Sequence, residues 1–100
     1  MRVVYKEPGK EPEIIEVENE LKALQEKVGG YIETVTLPCK ACVICNEEGR
    51  LLGMPYNCTV FGVSLCGPIL VAGVAGEEFK GLGPALARAV EMELRRQCHG

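Results

Sequence analysis

Apolar and polar side chains alternate along several short stretches of the chain, and this two-residue period predicts a protein built largely of β-strands. The turn-rich segment 7–12 separates the first two stretches, so they are expected to form an N-terminal hairpin. Pro38 interrupts a third stretch, and Pro68 is expected at an edge, a bulge or a strand start because it cannot donate to a ladder. Strands are predicted over residues 1–6, 13–18, 31–37, 41–45, 59–63 and 69–74.

Turn residues predict a second hairpin in the middle of the chain. Residues 46–49 read Asn-Glu-Glu-Gly, which suits a type I turn with Gly49 in the left-handed conformation. The strand 41–45 is then expected to return through residues 50–52. Segment 53–57, which contains a glycine and a proline, and segment 76–83, which contains three glycines, are predicted to be loops.

Two helices are predicted from spacing and end signals. Asn19 is a favourable N-cap for a helix over residues 20–28, which Gly29-Gly30 terminates. Pro84 suits the first turn of a closing helix over residues 84–98. The order β-β-α-β-β-β-β-α predicts an α+β fold with a small mixed or antiparallel sheet, in a single domain over residues 1–100.

Composition narrows the classes of function. One hundred residues with 47% hydrophobic content can bury one core, and the net charge of -3 is mildly acidic. Arg95-Arg96 is the one pair of adjacent basic residues, so direct binding to nucleic acid through the phosphates is not expected. No stretch approaches the length of a membrane span and no secretion signal opens the chain, so a cytoplasmic location is predicted.

The side chains that most often carry catalysis are scarce. The sequence contains no Asp, one Ser, and one His at position 99. Cys98 beside His99 has no third group to orient it, and Glu47-Glu48 lies in a turn expected to be solvated. The sequence therefore predicts a protein that is not an enzyme and has no cofactor.

Cys39, Cys42 and Cys45 have the spacing C-x-x-C-x-x-C, which is seen in metal sites. In an extended chain, however, the outer two thiols lie about 20 Å apart and the middle one points to the other face of the sheet. We therefore interpret most of the six cysteines as small buried apolar residues, with a metal site and a disulfide framework as less favoured alternatives.

Several motifs follow one another in an order typical of one family. They are the segments 5–13, 24–35 (ending Gly-Gly-Tyr-Ile-Glu-Thr-Val), 45–51 (Cys-Asn-Glu-Glu-Gly-Arg-Leu), 55–57 (Pro-Tyr-Asn) and 67–71 (Gly-Pro-Ile-Leu-Val). Over residues 1–82 the chain resembles a domain-of-unknown-function family of small bacterial and bacteriophage proteins. The family has two prolines before the Asn where this chain has Pro55-Tyr56. Its members are often carried on mobile elements near antirestriction proteins, so the resemblance implies a setting in counter-defence. It implies no chemistry, because the family has no assigned catalytic residues that could be carried over.

From that setting and the missing catalytic groups we hypothesise a non-enzymatic module that captures a small nucleotide-like signal. The candidate ligand-binding residues are Tyr31, Asn46, Glu48, Tyr56 and Asn57, although a structural role is favoured for Asn57. A homodimer is expected to complete the pocket. The alternative is an inhibitor of a host defence protein, in which Glu11, Glu13, Glu16, Glu18 and Glu20 form an acidic ribbon that imitates nucleic acid.

Overall fold

An antiparallel sheet forms the centre of the molecule, with helices packed on both of its faces. The structure is a computed structural model, and it describes residues 1–98 apart from the Cys98 side chain. The strands are β1 (Arg2–Lys6), β2 (Glu13–Glu16), β3 (Ile32–Leu37), β4 (Ala41–Asn46), β5 (Tyr56–Val60), β6 (Val63–Cys66), β7 (Ile69–Ala75) and β8 (Glu78–Lys80). The helices are α1 (Leu21–Val28) and α2 (Pro84–Cys98). The predicted α+β class is confirmed. The side chain of Cys98 and the whole of His99 lie outside the described part of the chain.

The six-stranded sheet has the order β2-β1-β7-β4-β3, and β8 pairs with the end of β7. All of its pairings are antiparallel. The central strands β4 and β7 are buried on both faces, which explains why their sequences are continuous apolar runs. The strands β5 and β6 form a separate two-stranded hairpin.

The sheet divides the core into two layers. On one face, Leu24 and Val28 of α1 pack against Ile44 and Leu70. On the other face, α2 and the β5–β6 hairpin cover the sheet. The residues of this second layer include Val4, Val43, Cys58, Leu65, Val71, Ala87 and Leu94. Each face of the sheet therefore has its own apolar cluster, as the amphipathic helices require.

The second hairpin is not where the turn residues predicted it. β3 and β4 pair with each other through the turn at residues 38–40, in which Cys39 and Lys40 have φ angles of 63° and 56°. Residues 47–53 form a hydrogen-bonded loop instead of a returning strand, and Leu51 is 85% exposed. The predicted strand over residues 50–52 is therefore wrong.

Two short strands were not predicted. β6 follows β5 after a turn at Phe61-Gly62, both with positive φ, in a segment that the sequence suggested was the end of one strand. β8 lies in the segment 76–83 that was predicted to be a loop, and it pairs with β7 over residues 73–75. Both are short and flanked by glycine, so their local pattern is weak.

The ends of α1 agree with the sequence only in part. Gly29 terminates α1 with a φ angle of 81°, which confirms the predicted C-terminus. The N-cap is Glu20, without a side-chain hydrogen bond, and Asn19 Nδ2 donates instead to the carbonyl oxygen of Phe79 at 2.9 Å. The prediction of Asn19 as the N-cap is therefore wrong. Within residues 1–98, neither helix is long and apolar enough to cross a membrane.

Candidate functional site

Three of the predicted ligand-binding residues line one cleft at an end of the sheet. The cleft forms where the C-terminus of α1, the residue before β3 and the loop after β4 meet, and its volume is about 270 Å³. We call it the Tyr31 cleft, and its lining residues are Gln25, Gly29, Gly30, Tyr31, Asn46, Glu48 and Leu52. Tyr31, Asn46 and Glu48 are thus brought together by the fold.

Asn46 holds the cleft in shape. Its side chain is buried, and Nδ2 donates to the carbonyl oxygen of Val28 at 3.1 Å. Its Oδ1 accepts the backbone N–H of Glu48 at 2.7 Å. A Cβ atom at position 30 would lie 2.9 Å from Asn46 Nδ2, so Gly30 is what lets the amide sit against the helix end. Asn46 therefore joins α1, β4 and the 47–53 loop.

The side chains at the rim of the cleft are more accessible. Tyr31 is 68% exposed, and Glu48 and Leu52 are also exposed. An aromatic ring beside a carboxylate and an aliphatic side chain can hold a flat ligand that carries hydrogen-bond donors. The cleft thus combines a rigid floor at Asn46 with a rim whose polar and aromatic groups are accessible.

The electrostatics of the cleft are negative. Glu48 is the one charged residue among those that line it, and the C-terminal end of α1 adds the negative end of the helix dipole. The N–H groups of Gly29 and Gly30 both donate to the carbonyl oxygen of Gln25, so they face the helix. The cleft is therefore poorly suited to phosphate and better suited to neutral or cationic groups.

Asn57 does not line the Tyr31 cleft. It is buried, its Oδ1 accepts a hydrogen bond from Lys6 Nζ at 2.7 Å, and its Nδ2 donates to the carbonyl oxygens of Lys6 and Gly67 at 2.9 and 2.8 Å. These contacts give Asn57 a structural role between β1, β5 and the segment that precedes β7. Tyr56 also lies away from the cleft, and its hydroxyl shares a hydrogen bond with Thr59 Oγ1 at 2.6 Å.

Sequence reasoning missed some of the residues that the fold places together. Gln25 and Leu52 line the Tyr31 cleft, and Lys6 is buried, with 2% of its surface exposed. A second depression of about 370 Å³ lies on the other side of Asn46 and includes Glu33 and Arg50. Arg50 there donates to the carbonyl oxygen of Ser64 at 3.1 Å. The helix predicted over residues 20–28 included Gln25, but nothing local in the sequence indicated these long-range contacts.

The three closely spaced cysteines lie in different surroundings. Cys39 is exposed in the β3–β4 turn, whereas Cys42 and Cys45 are buried on opposite faces of the sheet. Burial raises the pKa of the Cys42 thiol, and burial together with the carboxylate of Glu33 raises the pKa of the Cys45 thiol. Both thiols are therefore protonated near neutral pH and are weak nucleophiles.

Comparison with protein-family profiles matches residues 1–95 to Domain of unknown function (DUF3846). The matched range extends beyond residue 82 and includes most of α2. Searches of curated proteins and of solved structures find no match to the chain.

Proposed function

The chain belongs to this family of unknown function, and we propose that it is a non-enzymatic module that binds a small nucleoside-like ligand in the Tyr31 cleft. In this proposal it acts as an accessory protein of a bacteriophage or mobile element in the bacterial cytoplasm, where it sequesters a signal in counter-defence. The observation that carries the proposal is the convergence of Tyr31, Asn46 and Glu48 on one cleft.

The groups at the rim match the parts of a nucleoside. The ring of Tyr31 offers a face for stacking a heterocyclic base, and the carboxylate of Glu48 offers acceptors for hydroxyl or amino groups. The volume of about 270 Å³ is close to the lower limit of about 300 Å³ for ligand pockets, so it favours a ligand of one base and one sugar. Asn46 contributes by fixing the backbone beneath.

The negative surroundings refine the ligand class. A phosphorylated signal would bring its charge toward Glu48 and the C-terminal end of α1, with no basic side chain among the lining residues to compensate. We therefore propose a nucleoside or a heterocyclic amine in preference to a nucleotide with several phosphates.

Binding without turnover fits the chemical groups of the described residues. The amide of Asn46 and the Nζ of Lys6 are committed to buried hydrogen bonds. The raised pKa values of Cys42 and Cys45 keep these thiols protonated. No acid, base and nucleophile meet among the residues that line the Tyr31 cleft.

Isothermal titration with matched nucleosides and nucleotides tests the proposal. We expect a nucleoside to bind, and we expect Tyr31→Ala to weaken it about tenfold or more because the stacking contact is lost. Glu48→Gln should also weaken binding, whereas Tyr56→Ala should not, because this second exposed tyrosine lies away from the cleft.

Three outcomes would count against the proposal. If no nucleoside gives a measurable heat of binding, nucleosides are not the ligands. If the phosphorylated compounds bind more tightly than the nucleosides, the electrostatic argument is contradicted. If mass spectrometry detects conversion of a bound nucleoside to a product, the protein is an enzyme and not a binding module.

The acidic ribbon remains a second candidate because its five glutamates are all exposed in the structure. They lie along β2 and the segments on either side of it: Glu11, Glu13, Glu16, Glu18 and Glu20. Two carry basic neighbours, since Arg95 Nη1 contacts Glu11 at 2.5 Å and the N-terminal amine lies 3.9 Å from Glu16. A host partner that is captured by the wild-type chain and released in moderate salt would favour this candidate.

A further inference from the structure

The two edges of the six-stranded sheet are protected to very different degrees. β2, at one edge, has four residues, begins after Pro12 and carries the exposed residues Glu13 and Glu16. β3, at the other edge, has six residues, contains no proline, and keeps an unbroken register with β4 from Ile32 to Leu37. Proline, charges and bulges are the usual means by which proteins block an edge, and β3 has one of them, the exposed Glu33, so β3 is the less protected edge.

The free hydrogen-bonding groups of β3 can be assigned from its pairing with β4. The N–H of Glu47 donates to the carbonyl oxygen of Tyr31 at 2.8 Å, in register with the ladder between β3 and β4. Because hydrogen-bonded and non-hydrogen-bonded positions alternate along an antiparallel pair, the peptide groups of Ile32, Thr34 and Thr36 face away from β4. Within residues 1–98, no strand pairs with that side of β3.

We propose that this edge pairs with the same edge of a second copy of the chain, antiparallel about a two-fold axis at Thr34. Residues opposite each other in an antiparallel pair point to the same face, so the axis must pass through a residue and not between two. An axis at Glu33 would oppose two carboxylates, and an axis at Val35 would set Ile32 against the partner's Pro38 in the turn. The axis at Thr34 avoids both.

This register is complementary along its whole length. Thr34 opposes the partner's Thr34, Ile32 opposes the partner's Thr36, and Glu33 opposes the partner's Val35. The outward N–H and C=O groups of Ile32, Thr34 and Thr36 then all form hydrogen bonds with the partner's β3. Threonine pairs and β-branched pairs are favourable across strands, and no like charges lie directly opposite each other, since Glu33 and the partner's Glu33 are diagonal neighbours about 7–8 Å apart. The product is one continuous sheet through both subunits.

A charge placed at the proposed axis tests the register directly. Thr34→Lys sets two ammonium groups opposite each other, and we expect the dissociation constant of the dimer to rise about fivefold. Thr36→Lys is the matched control, because it puts the same charge on the same face of β3 but opposite the partner's Ile32. Sedimentation equilibrium measures the association, and circular dichroism checks that each variant is folded.

Variants with opposite charges at position 34 give a second test of the register. Thr34→Glu should weaken self-association as Thr34→Lys does, whereas a mixture of the two variants should form a one-to-one heterodimer in native mass spectrometry. Recovery of the heterodimer, with Thr36→Lys close to wild type, supports the proposal. A wild-type chain that is monomeric at millimolar concentration overturns it, and so does a dimer that is equally sensitive to Thr36→Lys or that the mixture fails to restore.

Discussion

At the scale of single residues, the buried contact between Lys6 and Asn57 holds three parts of the chain together. Asn57 accepts from Lys6 Nζ, and its amide nitrogen donates to the backbone of Lys6 and of Gly67. All of these groups are buried, so water cannot replace a missing partner. The contact thus fixes the β5–β6 hairpin against β1 and the start of β7.

Removing the amide of Asn57 should be costly. We expect Asn57→Ala to lower the free energy of unfolding by about 2–4 kcal/mol, because buried groups of Lys6 and Gly67 lose their partner. Urea denaturation measures the change. The neighbouring variant Tyr56→Ala, at an exposed position, should stay within about 0.5 kcal/mol of wild type. Equal stability of the two variants would contradict this view of the contact.

Part of the candidate site could be predicted at this scale. Tyr31 follows the Gly29-Gly30 helix end, and Asn46 and Glu48 stand in a turn motif, so local signals indicated them. The position of Asn57 could not be predicted in the same way, because its partner Lys6 is 51 residues distant in sequence. Contacts of that range depend on the pairing order of the strands, which no local pattern encodes.

At the scale of elements, the helices and the sheet class were predictable, whereas the second hairpin was not. The amphipathic stripes and the glycine and proline end signals locate α1 and α2. The Asn-Glu-Glu-Gly motif is a turn, but the predicted left-handed conformation of Gly49 is wrong, because its φ angle is not positive. The asparagine side chain bonds to α1, and the chain after the motif continues as a loop. The hairpin turn itself contains Cys39 and Lys40, whose positive φ angles are uncommon for such residues.

The left-handed conformation of Lys40 can be tested with a pair of small residues. Lys40→Gly and Lys40→Ala remove the same side chain, but only glycine adopts a φ angle of 56° without steric cost. We expect the glycine variant to be more stable than the alanine variant by about 1 kcal/mol in urea denaturation. An alanine variant that is equally or more stable would show that the turn does not have this conformation.

At the scale of the whole molecule, α2 closes one of the two apolar layers. Its Ala87 and Leu94 are buried in the cluster shared by β4, β7 and the β5–β6 hairpin. Arg95 also bonds to Glu11 and to the carbonyl oxygen of Pro12, next to β2. The family match, which includes most of this helix, agrees with α2 being part of the fold and not an addition to it.

The contribution of α2 can be measured by two variants on opposite sides of the helix. Leu94→Ala should cost about 2–4 kcal/mol of unfolding free energy, since it leaves a cavity in the core. Met92→Ala changes an exposed side chain of similar size and should cost less than about 0.5 kcal/mol. Thermal and urea denaturation measure both changes. An equal loss of unfolding free energy in the two variants would contradict this packing.

The position of β1 beside β7 has a consequence during synthesis on the ribosome. Val4 pairs with Val71, so β1, which can pair with β2 early, cannot form its ladder with β7 until most of the chain has been translated. In the meantime the nascent chain displays the apolar residues of β1 and β4 to the crowded interior of the cell. The central strands therefore assemble late and nearly together. A chaperone that binds extended apolar segments can bind the nascent chain throughout this interval.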